Sequence, residues 1–599
     1  MTLRKFSDEC ADALVQLGYT HCFFVAGGNI MHLIESISQR MQMIPVINEV
    51  ATVIAAEYFN EVSRDTGKKA LAMVTAGPGL TNALTGMAGA FTESREVLVI
   101  GGQVKRSDLS RGQIRQRGIQ EIDGVTLASS VCIRTLRIEA PIPVQEFVDF
   151  VHQPRYTRPG PIFVEFCLDA QNAMVEEAPP ARLPAPNKPK FDAALVHEAI
   201  DLLRGCSRPV LLLGSGVDMV YVPELLELTS GIGLPILSTW NGADRVPFNA
   251  PNFFGRPNNW GQRHSNLILQ QADVLIAAGT RLGFQQTGFN YEEFAPLAKI
   301  VHIDIDQTEI FKGHPRVDVG IVGDAAEVLQ EILAASPLSS GQTEPWTEFC
   351  EKVTEMVPVP DPQNQSAPEF LEIFGFIHQL SRYFGVQDII IPCSSGGGST
   401  VTMQVVEQKG LPQRIVTNKG MASMGYGLPG AIGACFARPD ERTWLVDGDG
   451  GLTQNSQEFG VIGQFQLPLK TFIISNNGYA SIRSTQRNYF GGNYVGCDPA
   501  TGLNIPSWPS IADAYGLRYH RIDVANPFSS SMISHLSDRV PTIFEVPVDP
   551  EQTFYPKIQS RISATKGMES NPLHEMTPHL SRELMEVVAR YLPFDRSLT

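Results

Sequence analysis

The sequence predicts an α/β protein made of three doubly wound parallel-sheet domains, and three observations carry that expectation. At 599 residues the chain exceeds what one hydrophobic core normally serves. Two stretches poor in apolar periodicity, residues 176–190 ("EEAPPARLPAPNKPK") and 336–368, read as linkers between three blocks. Inside each block, continuous apolar runs alternate with helical patterns, as parallel strands covered on both faces require. The expected domains are 1–175, 191–335 and 366–550, followed by a C-terminal segment, 551–599.

Taken in order, "MTLRKFSDECADALVQLGYT" reads as an amphipathic helix and lacks the apolar stretch of a secretion signal. "KALAMVT" and "EVLVIGG" are the strand runs of the first block. "PVLLLG", "ADVLIAAG" and "AKIVHIDID" are those of the second, and "DIIIP", "RTWLVDGDG" and "KTFIISNN" those of the third. A short helix is expected inside the second linker. The composition, 43% hydrophobic and 18% charged, is that of a soluble globular protein. A net charge of −16 argues against a general binder of nucleic acid or acidic membrane, since both need a basic footprint. Nine cysteines with no C-x-x-C pair fit reduced thiols, and no run of 18 apolar residues occurs. A cytoplasmic location is expected.

The informative stretch is "DGDGGLTQNSQEFGVIGQFQLPLKTFIISNNGYASIRSTQ", from Asp447 to Gln486. One apolar run stops at Asp447-Gly448-Asp449-Gly450 and the next at Asn476-Asn477-Gly478, with a helical pattern between. In doubly wound sheets ligands bind outside the carboxyl ends of the strands. Asp449 and Asn477 therefore come to one crevice, where a carboxylate, an amide oxygen and a backbone carbonyl suit Mg²⁺. Gly448, Gly450 and Gly451 let a diphosphate approach the backbone. Either half alone would be an ordinary turn; the pair points to a site.

This Gly-Asp-Gly followed by Asn-Asn resembles the binding motif of thiamine-diphosphate (ThDP) enzymes. "VINEVATVIAAEYFNEV…TAGPGLTNALTGMAGAF" is similar to that superfamily's opening, pyrimidine-binding domain, and places Glu49 as its activating glutamate. "NKGMASMGYGLPGAIGA" resembles the segment beneath the thiazolium ring, and "RPGPIFVEF" the close of the first domain. Among the branches, the resemblance to the acetohydroxyacid synthase (acetolactate synthase) catalytic subunit covers nearly the whole chain. It implies pyrimidine-binding, central flavin-type and diphosphate-binding domains in that order. It also implies a homodimer or homotetramer with active sites between subunits, acting on a small 2-keto acid and a carbonyl acceptor.

The site residues follow from the resemblance. Glu49 would share a proton with the pyrimidine N1′, with Pro78 and Asn82 beside the ring. Met424 would prop the bent cofactor, and the Ala422 carbonyl would accept from its 4′-amino group. Gly396 and Gly397 in "SSGGGS" would meet the diphosphate, with Gly450, Gly451 and Ile482 lining the same pocket. Asp449, Asn477 and Tyr479 would hold Mg²⁺. FAD, in a structural role, would rest on Arg158, on Gly214, Ser215 and Gly216, on Thr239 and Gly255, and on Arg281, Asp304 and Asp324.

Departures from the synthases fall on catalysis and the acceptor side. Gly396-Gly397 replaces Gln-His, and "LGFQQTG" replaces the Phe-Asp-Asp pattern after Arg281. The synthases' tryptophan becomes Gln486, Phe-Gln-Glu becomes Ile119-Gln120-Glu121, and a lysine becomes Leu168. Asn29, Gln120 and Gln486 join Glu49 as candidate catalytic positions. The loop before Gln120 carries Arg106, Arg111, Arg115 and Arg117, either a solvated face or an entrance for an anionic acceptor. The expected activity is pyruvate decarboxylation on ThDP with carboligation to 2-acetolactate. The alternatives are a larger ketone or nucleotide-linked ketosugar as acceptor, and a flavin-dependent pyruvate oxidase.

Overall fold

A computed structural model of the chain describes residues 2–184, 188, 190–393, 395–562 and 568–593. The first block holds β1 (Leu3–Lys5), β2 (Tyr19–Phe24), β3 (Gln42–Pro45), β4 (Lys69–Val74), β5 (Val97–Gln103), β6 (Arg134–Ile138), β7 (Pro161–Cys167) and β8 (Met174–Glu176). Six of these form a parallel sheet in the order β3-β2-β4-β5-β7-β6. Every residue of β5 and β7 is buried, which is why their sequences show no polar alternation. Ala70, Ala72 and Val74 of β4 enter one core, and Leu71 and Met73 enter a separate one on the other face. The sheet is covered on both sides.

The N-terminus departs from the expected helix. Leu3–Lys5 pairs antiparallel with β8, and the helix spans only Phe6–Gln16. The partner strand lies far along the chain, so no local pattern could reveal it.

The second block contributes β9 (Pro209–Leu213), β10 (Ile236–Ser238), β11 (Val274–Ala278), β12 (Lys299–Asp304) and β13 (Val319–Val322), ordered β10-β9-β11-β12-β13. The third contributes β14 (Ile389–Pro392), β15 (Arg414–Ile415), β16 (Thr443–Gly448), β17 (Leu469–Ser475), β18 (Arg518–Arg521) and β19 (Thr542–Pro547), ordered β15-β14-β16-β17-β19-β18. Both sheets are parallel. The helix in the second linker spans Ser340–Met356, 17 residues.

First and third blocks meet along the helices Glu49–Val62 and Gly427–Ala437. Tyr58 faces Gly430 and Ala55 faces Gly433, so the two run antiparallel. A Cβ at Gly433 would lie 2.0 Å from the Ala55 carbonyl oxygen, so only glycine permits this approach. The helix Gly427–Ala437 is apolar throughout because it is buried nearly all round, and 11 of the 14 residues of Glu49–Val62 are buried as well.

A buried charge network runs beside this contact. The fully buried Glu57 accepts from Arg95 Nη1 at 2.8 Å and from the Tyr426 hydroxyl, while Arg95 Nη2 reaches the Thr417 carbonyl at 2.6 Å. Arg414 joins Glu61 (3.2 Å) to Asp244 of the central block (2.7 Å). Burial pushes Glu61 upward, yet Arg64, Arg95 and Arg414 bring it down to about 2. Glu57→Ala would leave Arg95 buried without its carboxylate. The expected cost is about 3–5 kcal/mol, measured by urea unfolding, and a loss below about 1 kcal/mol would show the pair to be dispensable.

Candidate active site

The carboxyl edge of the first sheet collects several of the expected residues. Glu49 opens its helix, where the Asn48 side chain caps by accepting from Val50 N–H at 3.0 Å. Asn82, on the helix Pro78–Thr92, donates from Nδ2 to Glu49 Oε2 at 2.9 Å. Glu458 of the third block accepts from the backbone N–H groups of Ile47 (3.2 Å) and Asn48 (2.9 Å) and so fixes the approach to Glu49. Glu49 is half-exposed, and Val53 and Ile54 beyond it turn into the core. Gln120 sits at φ +63°, with its carbonyl 2.5 Å from where a Cβ on Gly77 would be. Asn29 lies at the exit of β2, its carbonyl accepting from Gln171 Nε2 at 2.7 Å.

At the carboxyl edge of the third sheet, Asp449 does work the motif did not suggest. Its buried carboxylate accepts from the backbone N–H groups of Gly450 (2.7 Å), Asn476 (3.1 Å) and Gly478 (3.2 and 3.1 Å). It stitches the exit of β16 to the exit of β17. Burial nevertheless pushes its pKa up to about 6. Asn477 stands exposed at φ +67°, and Arg483 holds the carbonyls of Asn476 (2.6 Å) and Asn477 (2.8 Å). Tyr479 packs against Gly450, where a Cβ would lie 2.6 Å from its ring. Gly451 follows, against the Asp447 carboxylate.

The helix Gly396–Val405 begins with open backbone: Ser395 makes no side-chain cap, and nothing stands within 4 Å of a Cβ at Gly396. Gly397 packs on Phe554, and Ser394 lies outside the described residues. Near this opening, Ser399 Oγ is buried without a hydrogen-bond partner among the described residues, the kind of atom that a ligand or its waters satisfy. Ala422 takes a left-handed conformation at φ +51°, and Met424 is partly exposed beside Gln454. Ile482 is about half-exposed on the helix Ala480–Tyr489. Gln486 on that helix spends its amide on the Val495 backbone, donating to the carbonyl (3.2 Å) and accepting from the N–H (3.1 Å). It therefore pins the following loop. Leu168 starts a short helix at the end of β7.

A cavity of about 430 Å³ opens at the carboxyl ends of the central strands. Arg158, Ser215, Gly216, Thr239, Arg281, Asp304 and Asp324 all line it. Gly214 does not; it is pressed on Gly279, where a Cβ would lie 2.1 Å from the carbonyl oxygen. Gly255 is also inside the fold, against Gln262 and Ser265. The helix after Gly214-Ser215-Gly216 starts only at Val222, following a 3₁₀ turn at Met219–Tyr221. Arg158 pairs with Asp306 (2.7 Å) and Glu309 (3.0 Å). Sequence reasoning missed Glu93 and Lys419, which close the cavity from the first and third blocks. Lys419 lay inside the quoted "NKGMASMG", but only tertiary packing turns it toward the cavity; burial lowers its pKa to about 8. Arg106 and Arg111 pair with Glu139, a solvated loop face.

Comparison with known proteins decides the family. The chain matches the thiamine pyrophosphate enzyme N-terminal TPP binding domain over residues 4–127, the central domain over 196–332, and the C-terminal TPP binding domain over 395–546. The chain belongs to the thiamine pyrophosphate enzymes. This thiamine pyrophosphate enzyme is 29% identical over 570 residues to "Acetolactate synthase" of Arthrospira platensis, covering 91% of this chain and 94% of that protein. It is 28% identical over 541 residues to "Acetolactate synthase isozyme 1 large subunit" of Escherichia coli, covering 89% and 92%. It is 29% identical over 515 residues to "Probable acetolactate synthase large subunit" of Methanocaldococcus jannaschii, covering 84% and 85%. Among the described residues no helix is long and apolar enough to cross a membrane.

The thiamine pyrophosphate enzyme's polar set suits its cofactor: open amides at Gly396, a Ser399 Oγ without a partner among the described residues, and the Asp449 loop lie at one sheet edge. In the central cavity, burial pushes Asp304 from an ordinary 3.8 up to about 6. The fold thus favours the protonated carboxyl. Its contribution to stability is full below the unfolded value and is lost as pH rises through about 6. Asp304→Asn keeps an acceptor for Asp306 N–H but cannot ionise. It is expected to gain up to about 3 kcal/mol over the wild type between about pH 4 and pH 7, read by urea unfolding of cofactor-free protein. Parallel pH profiles would contradict the shift.

Proposed function

We propose that the protein is an acetolactate-synthase-like carboligase. It decarboxylates pyruvate on ThDP and passes the two-carbon unit to a second carbonyl, giving 2-acetolactate when that carbonyl is another pyruvate. One observation carries the reading: an oriented acid–amide pair, Glu49–Asn82, at the edge of the first sheet, and a stitched acid–amide loop, Asp449–Asn477, at the edge of the third. Two separate edges match the two ends of ThDP, a pyrimidine and a diphosphate.

When bound, ThDP supplies a carbon nucleophile that takes up the electron pair released with CO₂. Glu49 would share a proton with the pyrimidine N1′, and Asn82, which donates to Oε2, would orient its carboxyl. Glu49 is half-exposed in one chain, which leaves a side open to a second subunit. The proposed assembly is a homodimer or homotetramer with sites between subunits. The carbonyl of the left-handed Ala422 would accept from the 4′-amino group, and Met424 would support the ring. The first amides of the Gly396 helix receive the diphosphate.

Among the described residues no three His, Cys, Asp or Glu side chains cluster for a metal. Asp449 would supply the one carboxylate for Mg²⁺, with the Asn477 amide and the Tyr479 carbonyl as further oxygen ligands. FAD would be held in the central cavity, where Arg158 and Arg281 offer cationic groups for its diphosphate and Asp304 and Asp324 offer acceptors for its hydroxyls. Its role is structural, because carboligation moves no net electrons. The protein is expected in the cytoplasm. A larger ketone as acceptor is the second reading, favoured by Gln486, which leaves no aromatic wall at that position.

Purified enzyme supplied with pyruvate and a panel of ketones, with products identified by mass and chirality, tests both readings. Carboligated products are expected; flavin reduction at the turnover rate would instead indicate an oxidase. Glu49→Gln is expected to bind ThDP and lose about 10²–10⁴-fold in turnover, the range of positioned proton transfer. Activity within about threefold of the wild type would remove Glu49 from its role. Asp449→Ala should weaken Mg²⁺-dependent ThDP binding at least ~100-fold, beyond what losing an outer-shell partner costs. Calorimetry showing unchanged affinity would refute that.

A further inference from the structure

We infer that Asn29 and Thr75 form the acceptor subsite, donating hydrogen bonds from Asn29 Nδ2 and the Thr75 hydroxyl to the carbonyl oxygen of the acceptor 2-keto acid. The inference rests on the carboligase reading above. It starts from topology. In the first sheet the chain passes from β2 outward to β3 and returns on the other side as β4. The reversal lies between β2 and β4, and a doubly wound sheet binds ligands outside the carboxyl ends of its strands at that point. Only two loops leave there, residues 25–30 and 75–77.

Each loop carries a buried polar atom without a hydrogen-bond partner among the described residues: Asn29 Nδ2 and Thr75 Oγ1. Folded proteins leave few such atoms unpaired, and those that remain call for an explanation. Here both are also held rigidly. A Cβ on Gly27 would lie 2.4 Å from that of Thr75, so the two loops are in direct contact. The Asn29 carbonyl accepts from Gln171 and would meet a Cβ on Gly102 at 2.3 Å, which clamps its backbone to the end of β5.

The chemistry of the pair selects the ligand. An amide NH₂ is a donor only, and a hydroxyl donates or accepts, so together they suit a carbonyl or carboxylate oxygen. The subsite adjoins the proposed proton-holding group. Val46 N–H bonds the Phe24 carbonyl at 3.1 Å, knitting the exits of β2 and β3, and Glu49 follows β3 directly. Gln120, with its backbone against Gly77, borders the same edge.

In carboligation the two-carbon unit's nucleophilic carbon bonds to the acceptor carbonyl carbon. The π pair moves onto the carbonyl oxygen, which takes a proton from water and becomes a tertiary hydroxyl. Negative charge grows on that oxygen, so preplaced donors bind it more strongly in the transition state than in the ground state.

Two measurements on the full-length enzyme loaded with ThDP and Mg²⁺ separate this inference from the reading beneath it. CO₂ release from pyruvate by the wild type tests the reading. Calorimetric titration with oxamate, an unreactive isostere of pyruvate, tests the subsite whether or not CO₂ appears. Asn29→Ala, Asn29→Asp and Thr75→Val should each weaken oxamate at least ~5-fold, about one net hydrogen bond, while Thr75→Ser stays near the wild type. Thermal unfolding checks that each variant folds. With turnover, Asn29→Ala should also raise the share of two-carbon units lost as acetaldehyde relative to carboligated product. Wild type that fails to bind oxamate, or Asn29→Ala and Thr75→Val that bind it within about twofold of wild type, overturns the subsite.

Discussion

The contact between the helices Glu49–Val62 and Gly427–Ala437 is the constraint on which the rest depends. Two apolar helices lie close enough that Gly433 cannot carry a side chain, and Glu57 is buried beside them. A carboxylate in such a place costs stability unless it is paired and hydrogen-bonded. Arg95 and the Tyr426 hydroxyl meet that condition, and Arg95 reaches on to the Thr417 carbonyl. The helix beginning at Glu49 is therefore anchored eight residues downstream to the third block. Segment 417–426, which holds Lys419, Ala422 and Met424, is fixed by the same network.

The Asp449 carboxylate is a second anchor of a different kind. It is spent largely on backbone N–H groups, so the loops after β16 and β17 are joined even without a ligand. This keeps Asn477 in a left-handed conformation, which an ordinary Asn-Gly turn would hold only loosely. Burial opposes ionisation of the same carboxylate, so an arriving cation would relieve a cost already present in the fold. A site organised this way loses little freedom on binding.

The central cavity follows from how the three blocks meet. Its floor is made by strand ends of one sheet, but Glu93 and Lys419 come from the other two blocks. The Arg414–Asp244–Glu61 network beside it draws charges from all three. Cavity shape and inter-block contact are thus one property, and a change at Arg414 would be felt in both.

By itself the sequence determined the three-sheet class, because fully buried parallel strands are continuously apolar and the helices between them keep their own period. It also placed Asp449 and Asn477 at two strand ends a helix apart, which the structure has at the exits of β16 and β17, because acid and amide at such ends are visible locally. Tertiary structure alone decided the β1–β8 pairing, the turning of Lys419 and Glu93 into the cavity, and the withdrawal of Gly214 and Gly255 from it. It alone showed that Asn82 orients Glu49 and that Gln486 is occupied with Val495. The reason is physical. Periodicity reports how a residue faces its own strand or helix, whereas hydrogen-bond partners and cavity walls come from segments hundreds of residues away, whose approach no local pattern encodes.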